Sequence, residues 1–309
     1  MSPWTSWRTL RFVNSDETAM AIRNSVIPAA LLLLWTSALA FAQDSSSALT
    51  QASATITQPQ YSNAQKTFFT SHDLVATGVA AVVTGVFMHY DEKIADWWQS
   101  DHVQGSANLH NAINNLTRLN ETPLTIASVA TWGIGRLSHS KTAADVGLHW
   151  TEALIMTDVI CQAIRGPLGR ARPRISPDNA FVFHGFKGFT DFGYRAFPSL
   201  HAAVGFATAA ALTGEIRERN PTAARYVAPV LYTIAMIPGT TRMYLNQHWA
   251  SDVVAGSFIG QLIGARVVRY AHTHKPTKLD RALLATNVVP DGFGGTMVMV
   301  DVQSLFAGQ

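Results

Sequence analysis

Charge is scarce in this chain, cysteine nearly absent and metal-ligand motifs missing. Of its 309 residues only 14% are Asp, Glu, Lys or Arg, while 48% are hydrophobic, a low charge fraction for a water-soluble protein. The single cysteine, Cys161, excludes an internal disulfide. Its place in an apolar, helix-like run reads as a small buried hydrophobe. There is no CxxC, no HExxH and no histidine-rich spacing, so the sequence carries no zinc signature. Basic runs interleaved with aromatics are also missing, and the net charge of +3 is mild. Nucleic acid is therefore not an expected partner.

The amino-terminal region reads as an export signal. Residues 1–19 are polar. Arg23 then precedes an apolar run from Val26 to Leu34, followed by Trp35-Thr-Ser-Ala-Leu-Ala40-Phe41-Ala42. A charged start, a short apolar stretch and an Ala-x-Ala site predict a secretory signal peptide over 20–42, with Met20 as the start and cleavage after Ala42. The alternative is an uncleaved membrane anchor. Residues 43–70 open with a Ser-, Thr-, Ala- and Gln-rich stretch without hydrophobic period, expected to be a flexible linker.

Apolar runs then predict six helices, at about 74–88, 123–137, 143–164, 199–215, 223–237 and 250–271. They make an all-α domain over 71–275, large enough for one core. Asp91, Glu92 and Lys93 mark the end of the first helix, and Trp97 and Trp98 read as packing or an interfacial anchor. Leu109, Ile113 and Leu116 predict a short amphipathic helix in the otherwise polar stretch 99–121. In the third helix, His149 reads as structural, and Glu152 and Asp158 as polar links between helices. Residues 174–197, rich in Gly and Phe, form a loop over the site. In the tail, 276–309, Pro290-Asp-Gly-Phe-Gly-Gly295 separates β-branched runs and predicts a short β-hairpin.

Two membrane signals conflict. The uncharged helix cores run about 14–17 residues, short of the roughly 20 needed to span. With a cleaved signal, three spans before Arg165 would also put the site in the cytoplasm. Yet Arg136/Lys141, Arg217/Arg219/Arg225 and Arg266/Arg269 lie in alternate connections, as a six-span positive-inside topology would have them. The expectation is an exported, periplasmic domain, soluble or membrane-associated; the alternative is an integral protein with six spans.

Three polar clusters stand at the ends of the apolar runs: Arg165-x6-Arg172-Pro173, Pro198-Ser199-Leu200-His201 and Thr241-Arg242-x5-His248-x3-Asp252. Arginines hold phosphate oxygens through forked, charge-assisted hydrogen bonds. Ser199 and the N–H groups of a helix start add further donors. His248 and Asp252, four apart, share a face if the segment is helical. The carboxylate would then hold the imidazole tautomer whose other nitrogen is free to attack. Arg170 reads equally as a fourth phosphate contact or a surface charge.

In order and spacing, these clusters resemble the signature of the type 2 phosphatidic acid phosphatase (PAP2) superfamily, which also holds bacterial class A acid phosphatases and vanadium haloperoxidases. That pattern is Lys-x6-Arg-Pro, Pro-Ser-Gly-His and Ser-Arg-x5-His-x3-Asp. The resemblance implies a six-helix PAP2-like bundle and a metal-independent phosphatase working through a phosphohistidine. His248 would be the nucleophile, His201 the general acid and base, and Asp252 the orienting carboxylate. Arg165, Arg172, Ser199, Leu200 and Arg242 would bind phosphate, Leu200 through its backbone. The partners implied are a phosphorylated lipid or a small phosphate ester, with a membrane surface. No cofactor is implied, except vanadate under the haloperoxidase alternative; transfer to an alcohol is the other alternative.

Two positions depart from the pattern. Arg165 stands where lysine is usual, planar and unable to lose its proton. Leu200 stands where glycine is usual, which places a side chain where the backbone approaches phosphate. A Pro-Ser-Leu-His variant resembles what some lipid phosphotransferase branches carry.

Overall fold

The computed structural model describes residues 67–275, 277 and 280, with the backbones of 286–290 and 296–300. The expected signal peptide and nearly all of the linker lie outside the described residues. Eight α-helices are described. They are α1 Ser71–Trp98, α2 Asp101–Gln104, α3 Ala107–Leu116, α4 Glu121–Leu137, α5 Lys141–Leu168, α6 Leu200–Arg219, α7 Pro221–Tyr244 and α8 Ala250–Thr273. Two 3-10 turns, Lys187–Phe189 and Phe192–Tyr194, punctuate the α5–α6 loop. Strands β1 (Thr286–Pro290) and β2 (Thr296–Val300) pair antiparallel with Val288 opposite Val298, as expected of a hairpin around Pro290–Gly295.

Helix starts follow local chemistry. The side chains of Asn120, Ser140 and Asn220 accept N–H bonds from Thr122, Ala143 and Ala223 and begin α4, α5 and α7. Asn220 also ends α6, and Pro221 follows at the first helical position, so two long helices join with almost no loop.

Three helices run further than their apolar cores suggest. Asp91, Glu92 and Lys93 do not end α1, because Asp91 is fully buried and bonded across to α8. Proline 238 does not end α7, whose last turn carries Arg242. A proline removes one N–H bond from the ladder, and here the helix continues past it. Helix α5 passes Pro167 and stops at Gly169, held at φ 56° with its N–H on the Arg165 carbonyl. A Cβ at Gly169 would lie 1.8 Å from the His184 carbonyl oxygen, so only glycine fits this turn.

Helix α6 packs against α5, α7 and α8. Its approach to α8 is the closest feature of the core. A Cβ at Gly256, Gly260 or Gly264 would fall 2.3, 1.9 or 2.5 Å from the carbonyl oxygens of Ser199, Ala203 and Ala207. Glycines every four residues thus let the two backbones touch, as small residues do at tightly packed helix pairs. Around this seam Trp150, Leu154, Cys161, Leu200, Val204, Ile263 and Val267 form one apolar cluster. Each large side chain so buried contributes about 1.5–3 kcal/mol. Asp158 bonds Gln162 one turn along its own helix rather than linking two helices.

The outer faces are unusually apolar. Leu74, Val75, Val79, Val82 and Val86 on α1 are exposed, as are Ile126, Val129 and Ile134 on α4. Among the described helices, α1 and α8 are long and apolar enough to cross a membrane, with α1's apolar stretch mostly exposed and α8's mostly buried. Both are longer than their uncharged cores suggested.

Candidate active site

The α6–α8 seam assembles the site. The Ser199 N–H donates to the Asp252 carbonyl at 2.9 Å, so the starts of α6 and α8 lie side by side. The last turn of α5 supplies Arg165, the loop beyond it Arg172, and the last turn of α7 Arg242. All eight residues expected from the sequence gather at this one end of the bundle, although the Leu200 side chain points elsewhere.

His248 sits in the α7–α8 connection and is almost wholly buried. Its Nδ1–H donates to the Ala196 carbonyl at 2.7 Å. Asp252 Oδ2 is 3.6 Å from the same nitrogen, beyond hydrogen-bond reach. The expected Asp–His bond is therefore corrected: a backbone carbonyl sets the tautomer, and Asp252 acts at one remove. Its Oδ2 accepts the Trp249 N–H at 2.8 Å, and its Oδ1 accepts from Arg170 Nη1 at 2.6 Å. His248 Nε2 is left buried and without a partner.

That orphan is one of a set. The Nε atoms of Arg165, Arg172 and Arg242, Ser199 Oγ and His201 Nδ1 are also buried with no partner. Buried polar groups are almost always paired, and here several of the exceptions are grouped around one free imidazole. A tetrahedral oxyanion would engage them together. Arg165 is otherwise held by the carbonyls of Arg195 and Pro198, both at 3.2 Å, and Arg172 by Gln247 Oε1.

The charges here are felt. Burial, followed by the nearby Arg165, Arg174 and Arg242, pulls the Arg172 guanidinium down to about 10. Burial, with Arg172 and Arg165 behind it, holds His248 well below the usual imidazole value. Its Nε2 therefore keeps a lone pair through the neutral and mildly acidic range.

Sequence reasoning left one residue open and missed two. Arg170 is neither a surface charge nor a phosphate contact. It is fully buried and donates to Ser251 and Asp252 on α8, to Asp91 on α1 and to the Ala180 carbonyl. Asp91 is its missed partner; an acid inside an apolar helix was the available signal. Glu121, at the start of α4, lies 3.2 Å from His201 Nε2. An acid in a first turn looks like an ordinary helix start, so nothing in the sequence marked it. Leu200 corrects the opposite way. Its side chain lies in the apolar cluster, because the first residue of α6 turns inward, and it does not intrude on the phosphate position.

At the other end of the bundle a second polar cluster forms around the buried Glu215. Glu215 Oε1 lies 2.5 Å from His149 Nδ1 and 3.1 Å from His272 Nε2, while Arg219 takes Oε2. The three donor groups lie within 4.8 Å of one another, close enough to hold a metal ion. The Arg219 cation and the existing bonds already satisfy this carboxylate, so the set is complete as an ion cluster.

A helical bundle with arginines converging on a free imidazole defines a PAP2-type site. The chain belongs to the PAP2 superfamily, whose family model matches residues 147–276. It is similar to a lipid A 4'-phosphatase of Bacteroides thetaiotaomicron, 31% identical over 167 residues, 51% of this chain and 67% of that protein. It is also similar to a lipid A 1-phosphatase of Porphyromonas gingivalis, 29% identical over 164 residues, 52% of this chain but only 31% of that protein. Among solved structures, the transmembrane PAP2-type phosphatidylglycerolphosphate phosphatase from Bacillus subtilis superimposes with a TM-score of 0.50 at 20% identity, over 66% of this chain and 96% of that one. That likeness is one of fold.

Proposed function

We propose that this protein is a membrane-associated phosphatase that removes phosphate from a phosphorylated lipid through a phosphohistidine. The observation that carries the reading is the buried His248 Nε2 without a partner, surrounded by arginine donors in the same state. Attack by Nε2 forms the P–N bond while the bond from phosphorus to the lipid oxygen breaks. His201 gives a proton to that oxygen. In the second step His201 takes a proton from water, whose oxygen attacks phosphorus; the P–N bond breaks and orthophosphate leaves. Arg165, Arg172, Arg242 and Ser199 meet the charge on the three equatorial oxygens. Glu121 Oε2 stands 3.2 Å from His201 Nε2, so its charge favours the protonated imidazole that the first step needs, and Nδ1 is left to exchange with the substrate.

Lipid is preferred over soluble ester for two reasons. Both curated relatives are named for lipid A, and the exposed apolar faces of α1 and α4 suit a bilayer. Export, with the site on the periplasmic side, belongs to the same proposal. The test is phosphate release by the purified chain, in EDTA, from phosphatidate, from lipid A and from p-nitrophenyl phosphate. Turnover that persists in EDTA and vanishes in His248→Ala supports the reading. Turnover that needs an added divalent metal, or survives loss of His248, sinks it.

A further inference from the structure

The α5–α6 loop carries an exposed aromatic surface beside the site. Phe186 and Phe192 are each 70% exposed, Phe181 58% and Phe189 55%. Solvent-exposed phenylalanines rarely cluster so closely in a soluble protein. The loop is not slack. Phe186 is held at φ 63°, a conformation that costs a bulky residue energy and glycine none. Its ring stacks on Phe189 with centroids 6.4 Å apart. Lys187 lies 3.7 Å over the Tyr194 ring and Arg195 4.5 Å over Phe192. Backbone strain is retained where it presents a side chain usefully.

The surface continues onto α5. The Phe189 ring sits where a Cβ of Gly166 would be, 2.3 Å from its Cε1. Gly166 falls within about 20° of exposed Ile155 and Val159 around the helix, about 16 Å and about 10 Å along it. One apolar face therefore runs up the outside of α5 and ends on the phenylalanine loop, next to Arg165. Cations pinned on aromatic rings at the end of an apolar face have the chemistry of a bilayer interface, with rings in the acyl region and charges at the headgroups.

We propose that Phe181–Phe192 seats in the lipid leaflet, with Lys187 and Arg195 at anionic headgroups, and delivers a lipid-borne phosphate to the arginine cradle. The delivery half rests on the lipid phosphatase reading; the seating half does not. The test uses the full chain reconstituted in phosphatidylcholine–phosphatidylglycerol vesicles. With phosphatidate in the vesicles, the double variant Phe186→Asn, Phe192→Asn should lose at least ~10-fold in rate, as for the loss of about 1.4 kcal/mol of interfacial binding. Asparagine tolerates positive φ, and hydrolysis of p-nitrophenyl phosphate should stay within about twofold. Rates unchanged from the parent chain on both substrates, or an equal loss on both, overturn the proposal.

A second measurement does not depend on turnover. Because Cys161 is fully buried, a nitroxide can be placed selectively on Phe186→Cys or Phe192→Cys. Greater relaxation by oxygen than by a water-soluble nickel chelate places the label in lipid and supports seating, even if the chain hydrolyses neither substrate. Greater access to the nickel chelate, or shielding from both as under a protein partner, overturns it.

Discussion

The two ends of the bundle use nearly the same side chains for opposite purposes. At one end His248, Asp252 and Arg170 are buried together; at the other, partly exposed His149 and His272 and exposed Arg219 close over a buried Glu215. In the Glu215 cluster each imidazole points at the carboxylate, and the arginine takes what is left. In the site, the arginine and a backbone N–H occupy Asp252, and His248 is left with one nitrogen tied to the Ala196 carbonyl and one free. The difference is not one of residue type. It is whether the network closes: a closed network holds helices together, and an open one leaves a lone pair for chemistry.

The sharpest way to break this comparison is to remove a histidine from each end. His248→Ala should lower turnover by at least ~10^4-fold with the fold retained, as expected of a covalent nucleophile. His149→Ala should leave turnover within about twofold. Phosphate-release kinetics beside thermal melts would read both, and substantial residual activity in His248→Ala would remove the nucleophile assignment.

Arg170→Met tests the buried arginine that links α1 to α8. It strands the carboxylates of Asp91 and Asp252, and should cost about 3–5 kcal/mol of stability. A denaturant titration showing a small loss would mean that those carboxylates find other partners. Arg172→Ala and Arg242→Ala should each lower kcat/KM by ~10^2–10^3-fold, the loss of one transition-state donor, with little change in melting temperature. His149→Ala, measured now for stability, should cost about 1–3 kcal/mol through an under-bonded Glu215.

The smallest effect is one of pH. His248 is held well below its reference of 6.5 by burial and by the arginines. The unfolded chain therefore binds a proton at this position, below about pH 6.5, that the folded chain refuses. Stability from this residue is full above that pH and falls as pH drops, by up to ~1.4 kcal/mol per unit. His248→Asn should flatten the stability–pH curve by that slope; an unchanged curve would mean that His248 titrates normally in the folded state.

Much of this was legible along the chain. Six apolar runs became six long helices, because runs of that length with Asn or Ser caps have few alternatives to helix. Pro290–Gly295 announced the hairpin. The arginines, histidines and Ser199 could be chosen from motif spacing alone, since forked donors, a helix start and a histidine four residues before an acid are local features. Where α1 and α7 end was less legible. Asp91 could stay in a helix only because Ser251 and Arg170 meet it from elsewhere in the chain.

By itself, then, the sequence determined the helical class, the PAP2 spacing and the residue types of an anion cradle. Tertiary structure alone decided which nitrogen of His248 is free, that Ala196 rather than Asp252 holds the other, and that Arg170 is structural. It also decided that Leu200 faces the core and that Glu121 faces His201. The physical reason is that a hydrogen bond is set within a few tenths of an ångström between groups from different helices. Those distances follow from how closely α6 and α8 can approach across Gly256, Gly260 and Gly264, and no local pattern along the chain encodes the approach.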